Sequence, residues 1–257
     1  MALPAATEPV ADGLDEVDLR VGPYRARIGI GADLREAALE LRGRCFRPQS
    51  GTDRDRFDAL SLHGTVCDTR NDQVLSAFRT RVISNAAHLS STYTAQSYDL
   101  TPLQFERGPF VEVGRLCHAP DLLDPMAFRL VWAALGALVD THGAAMMIGC
   151  SSFDGTDVNR HRTALAYLRA HHLGPQKLRP GKTAVDTIDL PNGPADPAGL
   201  PHLLKSYLGL GSWVSDFAVR DPDLDRLHVF TALRIGDIPE PRKRRLRALA
   251  RGMHAAT

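Results

Sequence analysis

Glu112 and Arg115 are the two residues of this chain whose types and spacing most readily suggest chemistry. They stand three apart in Phe110-Val111-Glu112-Val113-Gly114-Arg115-Leu116-Cys117, a run of strand-forming composition. A partly buried carboxylate with a raised pKa can act as a general base, typically contributing roughly 10²–10⁴-fold. A guanidinium beside it would position an anionic or carbonyl group. Side chains alternate faces along a strand, so the two point apart unless the strand bends or bulges. Gly114 between them permits such a bend. On the residues alone the pair reads as a structural ion pair or as catalytic groups.

Other candidates lie on either side. Phe57-Asp58-Ala59-Leu60-Ser61-Leu62-His63 offers Asp58 to a substrate ammonium, and His63 as either a site group or a core histidine. Arg79 could grip a carboxylate through its planar fork, or lie on a sheet surface. Met147-Ile148-Gly149-Cys150-Ser151-Ser152-Phe153 ends a strand in small residues, and Ser151 and Ser152 are expected to line a channel. Cys117 reads as a packing residue. The four cysteines (Cys45, Cys67, Cys117, Cys150) fall singly, so neither a metal site nor a disulfide framework is expected.

These residues need a scaffold. Asp18–Ile30 alternates as one or two strands, and Asp33 with Glu36 reads as a capping box opening a helix to about Phe46. Leu62–Cys67 and Gln73–Ile83 read as a hairpin, and Pro109–His118 as a strand. Pro125 opens a helix that Gly143 closes after His142. Ala144–Ser151 is apolar throughout, as a buried strand is. A helix is expected over Asp157–His171, with strands over Val185–Leu190 and Leu227–Ile235. The loop 50–58 is polar and reads as a flap or a solvated connection. Residues 191–226 are rich in Gly and Pro and read as an insertion. The resulting organisation is a core over 17–190, a C-terminal extension over 191–240 that completes the domain, a tail over 241–257, and a mobile 1–16.

The 257 residues have 44% hydrophobic and 24% charged content and a formal net charge of +1. That balance gives no global attraction to nucleic acid, so any basic site must be local. The N-terminus lacks the charged start and apolar core of a secretion signal, and no apolar run approaches the roughly 20 residues that span a bilayer. A cytoplasmic protein is expected, touching a membrane only from its surface. The basic run Arg242, Lys243, Arg244, Arg245, Arg247 and Arg251 has Leu246, Leu249, Ala250 and Met253 at helical spacing. It reads as a short amphipathic helix that could meet an acidic protein or an anionic inner membrane.

The Glu112-x-Gly114-Arg115 run, the Gly149–Asp157 segment and Leu200-Pro201-His202-Leu203-Leu204-Lys205-Ser206-Tyr207-Leu208-Gly209-Leu210-Gly211 occur in that order. Together they resemble the bacterial ornithine-lipid N-acyltransferases. These are a branch of the Gcn5-related acyltransferase superfamily close to the acyl-homoserine lactone synthases. The resemblance implies an α/β fold with a mixed central sheet flanked by helices and a C-terminal extension. It further implies transfer of a 3-hydroxyacyl chain to the α-amine of L-ornithine, giving lyso-ornithine lipid. Glu112 would be the general base and Arg115 a positioning group, with Asp58, His63, Arg79, Ser151 and Ser152 in the substrate sites. Leu62 stands where the family pattern often has an acid before the histidine, which weakens an acid–His63 pairing.

Where acyl-CoA users carry a glycine-rich pyrophosphate loop, this chain has Asp121-Leu122-Leu123-Asp124-Pro125-Met126. Its carboxylates would repel a pyrophosphate. The donor implied is therefore acyl carrier protein, whose phosphopantetheine thioester is a co-substrate, with no cofactor. Two alternatives stay open within enzymes, another amino acid as acceptor or a lactone synthase. The characteristic N-terminal tryptophan of the synthases is missing, since the tryptophans are Trp132 and Trp213. A non-catalytic carrier-protein or lipid-binding module is the third. Glu112→Ala would silence an enzyme and leave such a module nearly unchanged.

Overall fold

The computed structural model describes residues 16–120, 122 and 124–252. The reading of 1–16 therefore lies, apart from Glu16, outside the described residues, as do Asp121, Leu123 and Met253.

The strands are β1 (Val17–Val21), β2 (Tyr24–Gly29), β3 (Leu62–Asp68), β4 (Gln73–Ile83), β5 (Tyr98–Asp99), β6 (Phe110–His118), β7 (Met146–Asp154), β8 (Gly181–Lys182), β9 (Thr187–Asp189), β10 (Trp213–Asp221) and β11 (Arg226–Arg234). The helices are α1 (Ala32–Phe46), α2 (Pro125–His142), α3 (Arg162–His171), α4 (His202–Gly209) and α5 (Glu240–Ala250). Nine strands form one sheet in the order β1-β2-β3-β4-β6-β7-β11-β10-β9. Within it β6 and β7 pair in parallel, joined through α2, and the other neighbouring strands described pair antiparallel. The short β5 and β8 pair with each other.

Several elements follow the sequence closely. Asp124 caps α2 by accepting from the Met126 N–H, Pro125 occupies its first turn, and Gly143 closes it in the left-handed region at φ 58°. The apolar stripe of α2 buries Leu130, Val131, Leu135 and Leu138 against Ala26, Ile28, Val66, Phe78 and Val111 of the sheet. On the opposite face, Ala38 and Leu41 of α1 pack on Ala77 and Cys117.

Two expectations change. The Asp33–Glu36 capping box does not form: the N-cap of α1 is Gly31 without a side-chain bond. Asp33 instead pairs with Arg27, and Glu36 with Arg54. Residues 191–226 are not an insertion, because they contain β10, which lies between β9 and β11 in the main sheet. Its buried Trp213, Val214, Phe217, Ala218 and Val219 are apolar on both faces, so period-2 alternation gives no signal. The tail helix is present as α5: Leu246, Leu249 and Ala250 pack against the core around α2, and Arg247 makes a two-pronged bond to Asp140 at 2.8 Å. None of the helices described is long and apolar enough to cross a membrane.

Candidate active site

β6 and β7 begin as neighbours, but their pairing ends at Val113↔Gly149. At that point a Cβ on residue 149 would stand 2.3 Å from the Val113 carbonyl oxygen, so glycine is what lets the strands touch there. Beyond it they splay. The β4 side of β6 is irregular at the same level: Arg79 faces Gly114 and Ala77 faces Cys117, leaving an extra residue on β6. Arg115 takes φ 53° in this bulge, a conformation uncommon outside glycine. With this bulge between them both side chains reach Tyr93, Glu112 accepting from its N–H and Arg115 lying over its ring.

One cavity opens at the splay and a second adjoins it. The first, about 380 Å³, is lined by β6 from Val113 to His118, by Cys150, Ser151, Ser152 and Asp154 of β7, and by the N-terminal half of α4. The second, about 480 Å³, is polar, with walls from the 53–57 loop, Gln96, Ser97, residues 184–186 and the β10–β11 turn. Four residues belong to both: Tyr93, Arg115, Asp221 and His228. A group seated in one cavity can reach a group in the other only past these four.

The loop expected to be a flap or a connection is instead a buried ionic wall. Arg42, fully buried, donates to Asp53 at 2.9 Å and to Asp58 at 2.7 Å. Arg79 donates through Nη1 to Asp55 at 2.5 Å and Asp58 at 2.9 Å. Arg115 reaches Asp53 at 3.3 Å and Asp55 at 3.4 Å, and its guanidinium lies 4.8 Å from the Tyr93 ring centre. Burial opposes the Arg115 charge, but Tyr93, Asp53 and Asp55 around it more than restore it, so its pKa stands above the ordinary value. Burial pushes the Asp58 carboxyl up, and the bonds from Arg42 and the Asp55 N–H with the charges of Arg42 and Arg79 outweigh that, holding it at about 2.

Of the residues expected in the site, Arg115, Ser151 and Ser152 line the first cavity. Asp58, His63 and Arg79 line neither. Asp58 and Arg79 are committed to each other within the wall. His63 is 1% exposed, and its Nε2 lies 3.0 Å from the Asp58 backbone carbonyl rather than from the carboxylate. Burial lowers its pKa, the state of a core histidine. The structure thus gathers Asp58 and Arg79 in the wall behind the cavities with His63 beside them, while Arg79 Nη2 and His63 Nδ1 keep no hydrogen-bond partner among the described residues.

Glu112 also lines neither cavity. Its carboxylate accepts from the Thr94 N–H at 2.8 Å, the Thr94 hydroxyl at 2.6 Å and the Tyr93 N–H at 3.2 Å. It thereby fixes the segment that carries Tyr93 to the junction.

Sequence reading missed Tyr93, Asp221 and His228. Asp221 and His228 sit on β10 and β11, whose pairing sets Val219 beside His228 and Asp221 beside Arg226. A lone histidine in a strand and an aspartate at a strand end carry no signal by themselves. Only the sheet order places them opposite Arg115. Among the described residues no group of three His, Cys, Asp or Glu could hold a metal ion.

Comparison with known proteins agrees with this architecture. Residues 34–133 match the model of the acetyltransferase (GNAT) domain. An L-ornithine N(alpha)-acyltransferase of Rhodobacter capsulatus is 34% identical over 65% of this chain and 68% of its own. One of Rhizobium meliloti is 29% identical over 91% and 86% respectively. Among solved structures, an N-acyl amino acid synthase from uncultured soil microbes aligns at 10% identity with a TM-score of 0.46, covering 90% of this chain and 98% of its own. A strand pair splayed by a bulge, two cavities meeting at that splay and a relative of this similarity lead to one assignment: the chain is an N-acyltransferase enzyme and belongs to the L-ornithine N(alpha)-acyltransferase family.

Proposed function

We propose that the enzyme moves a (3-hydroxy)acyl chain from the phosphopantetheine thioester of acyl carrier protein to the α-amine of L-ornithine, forming lyso-ornithine lipid. The observation that carries this reading is the meeting of two unlike cavities at Arg115, Tyr93, Asp221 and His228. The first, with its apolar walls and splayed strand edges, suits a thioester and acyl chain. Backbone N–H groups freed by the splay could hold the oxyanion that forms when the carbonyl is attacked.

The second suits a zwitterionic amino acid. Arg56 faces it with a hydrogen bond to Gln96 at 3.2 Å and no carboxylate partner among the described residues, so it is free to take the substrate carboxylate. Asp221 accepts only from the Leu224 N–H, at 3.1 Å, and makes no ion pair among the described residues. It is the acid left for a substrate ammonium. In this reading Arg115 stands where the two substrates meet, and Glu112 holds Tyr93 and Thr94 in place.

The carrier protein would dock on α5. Arg247 and Lys243 are engaged with Asp140 and Glu240, whereas Arg242, Arg244 and Arg245 are exposed. Arg242 reaches Gly209 at the end of α4, the helix that lines the first cavity. An anionic inner-membrane surface could use the same arginines once product is made.

Lipid mass spectrometry of a host without amino-acid lipids, expressing the gene, tests the reading. A new acyl-ornithine species is expected. Acylation of a different amino acid would overturn the choice of acceptor, and no new species from folded protein would overturn the reaction.

A further inference from the structure

Tyr98 is fully buried, and its hydroxyl, which also neighbours Ser215 and the Phe230 backbone, makes two contacts to His228. It donates to the His228 backbone carbonyl at 2.9 Å and lies 3.1 Å from His228 Nδ1. A phenol has a single hydrogen. With that hydrogen committed to the carbonyl, the second contact is a hydrogen bond only when Nδ1 carries the proton and the phenol oxygen accepts. The neutral imidazole then holds its lone pair on Nε2. His228 Nε2 has no partner among the described residues, and it is not among the buried side-chain atoms left unpartnered. It therefore opens to the space where both cavities meet.

We infer that His228 is the proton acceptor of the acyl transfer, with Tyr98 as the positioning residue that fixes its tautomer. The inference rests on the proposed N-acyl transfer. Once the ammonium held at Asp221 has lost one proton to bulk water, the free amine lone pair forms the C–N bond at the thioester carbonyl, whose π pair moves to oxygen. The nitrogen, now cationic, gives its proton to Nε2. The oxyanion reforms the carbonyl, the C–S bond breaks, and the leaving thiolate takes the proton from the Nε2–H. Amide and free thiol result, nothing is oxidised, and the imidazole returns neutral.

The surroundings favour this assignment. Burial pushes the His228 pKa down to about 4, with Asp221 pulling it up and Arg115 pushing it down, so the ring is neutral and ready at physiological pH. A base of that strength suits a nitrogen already bonded to carbon, whose N–H is acidic, better than a free ammonium. Asp221 would stabilise the imidazolium while it exists. The other ionisable groups facing the junction are poor acceptors. Burial first, and then the Glu112 charge, push the Cys150 thiol up to about 12. Tyr93 is raised by burial, and Asp53 and Asp55 are paired with arginines.

Purified full-length chain, an acyl-carrier-protein thioester and L-ornithine provide the test, read by thiol release. His228→Ala should fold, keep KM for both substrates and lose about 10²–10⁴-fold in kcat, with part of the loss restored by added imidazole. His228→Asn keeps a donor towards Tyr98 but no basic nitrogen, and should be as slow; it decides the matter if the alanine variant does not fold. Tyr98→Phe should lower kcat less, at unchanged KM. Wild-type turnover in either folded His228 variant overturns the inference, as does a kcat loss in the alanine variant that imidazole leaves untouched. A wild-type chain that releases no thiol with any amino acid offered instead overturns the N-acyl transfer reading.

Discussion

Glu112→Gln separates two roles for the acid on the central strand. The carboxylate takes two bonds from Thr94, at 2.8 and 2.6 Å, through Oε1 and one from the Tyr93 N–H, at 3.2 Å, through Oε2. Glutamine matches this shape but can present one oxygen only. Its best orientation keeps Thr94 satisfied and turns an NH₂ towards the Tyr93 N–H, donor against donor. A hydrogen bond to a charged group is worth about 1.5–3 kcal/mol, and Glu112 is 7% exposed, so water cannot substitute. The expected cost is about 2–3 kcal/mol, or roughly 5–10 °C in Tm for a chain of this size. Activity should fall with it, because the loosened segment carries Tyr93. Thr94→Ala, which removes the 2.6 Å donor alone, should show a smaller version of both effects. Urea and thermal unfolding read the first effect and thiol release the second. A glutamine variant that unfolds like wild type while losing a hundredfold or more in kcat would refute this reasoning. It would return Glu112 to the role of base expected from the sequence.

Asp58→Ala should cost about 3–5 kcal/mol in urea unfolding, because it strips one of two carboxylates from the fully buried Arg42. Wild type should lose about 2 kcal/mol from Asp58 on acidification: a folded pKa of about 2 against an ordinary 3.8 leaves its contribution whole above pH 4 and lost as pH falls through 2. An unfolding series in which Asp58→Asn shows the same acid slope as wild type would contradict this. Gly149→Ala drives a methyl to 2.3 Å from the Val113 carbonyl, and should cost roughly 1–3 kcal/mol along with most activity; a fully active variant would show that the last β6–β7 pair is dispensable. Replacing Arg242, Arg244 and Arg245 by glutamine should leave stability within about 0.5 kcal/mol, yet raise KM for the carrier-protein thioester at low salt only. An equal rise with a free pantetheine thioester would remove α5 as the docking surface.

The sequence revealed the elements around the splay better than the groups inside it. Pro125, Gly143 and the apolar stripe of α2 act locally, so their consequences are readable from spacing. The small residues Gly149, Ser151 and Ser152 likewise announced a cavity wall. The partners of Asp58, His63 and Arg79 were not legible, because a residue type states what a side chain can do, not which partner reaches it first. Three arginines (Arg42, Arg79, Arg115) converge on Asp53, Asp55 and Asp58 from α1, β4 and β6, a convergence that only long-range packing creates. β10 escaped notice because burial on both faces erases alternation, and with β10 went the position of His228.

The strand registers tie Glu112 to His228 across the sheet. Glu112 pairs with Ile148, Cys150 with Phe230 two positions along β7, and Ser152 with His228 two further. Paired residues share a face and alternate residues return to it, so the acid and the histidine point to one side. The segment Tyr93–Tyr98 crosses that side. Glu112 holds its first two N–H groups, and Tyr98 at its end bonds His228 and packs on Phe217 and Phe230. A proton acceptor on β11 thus has its tautomer set by a phenol whose backbone is anchored from β6, on the far side of the splay. Strands that separate to admit a thioester lose the hydrogen bonds that would fix their relative position. A strap pinned to both restores that constraint without closing the gap.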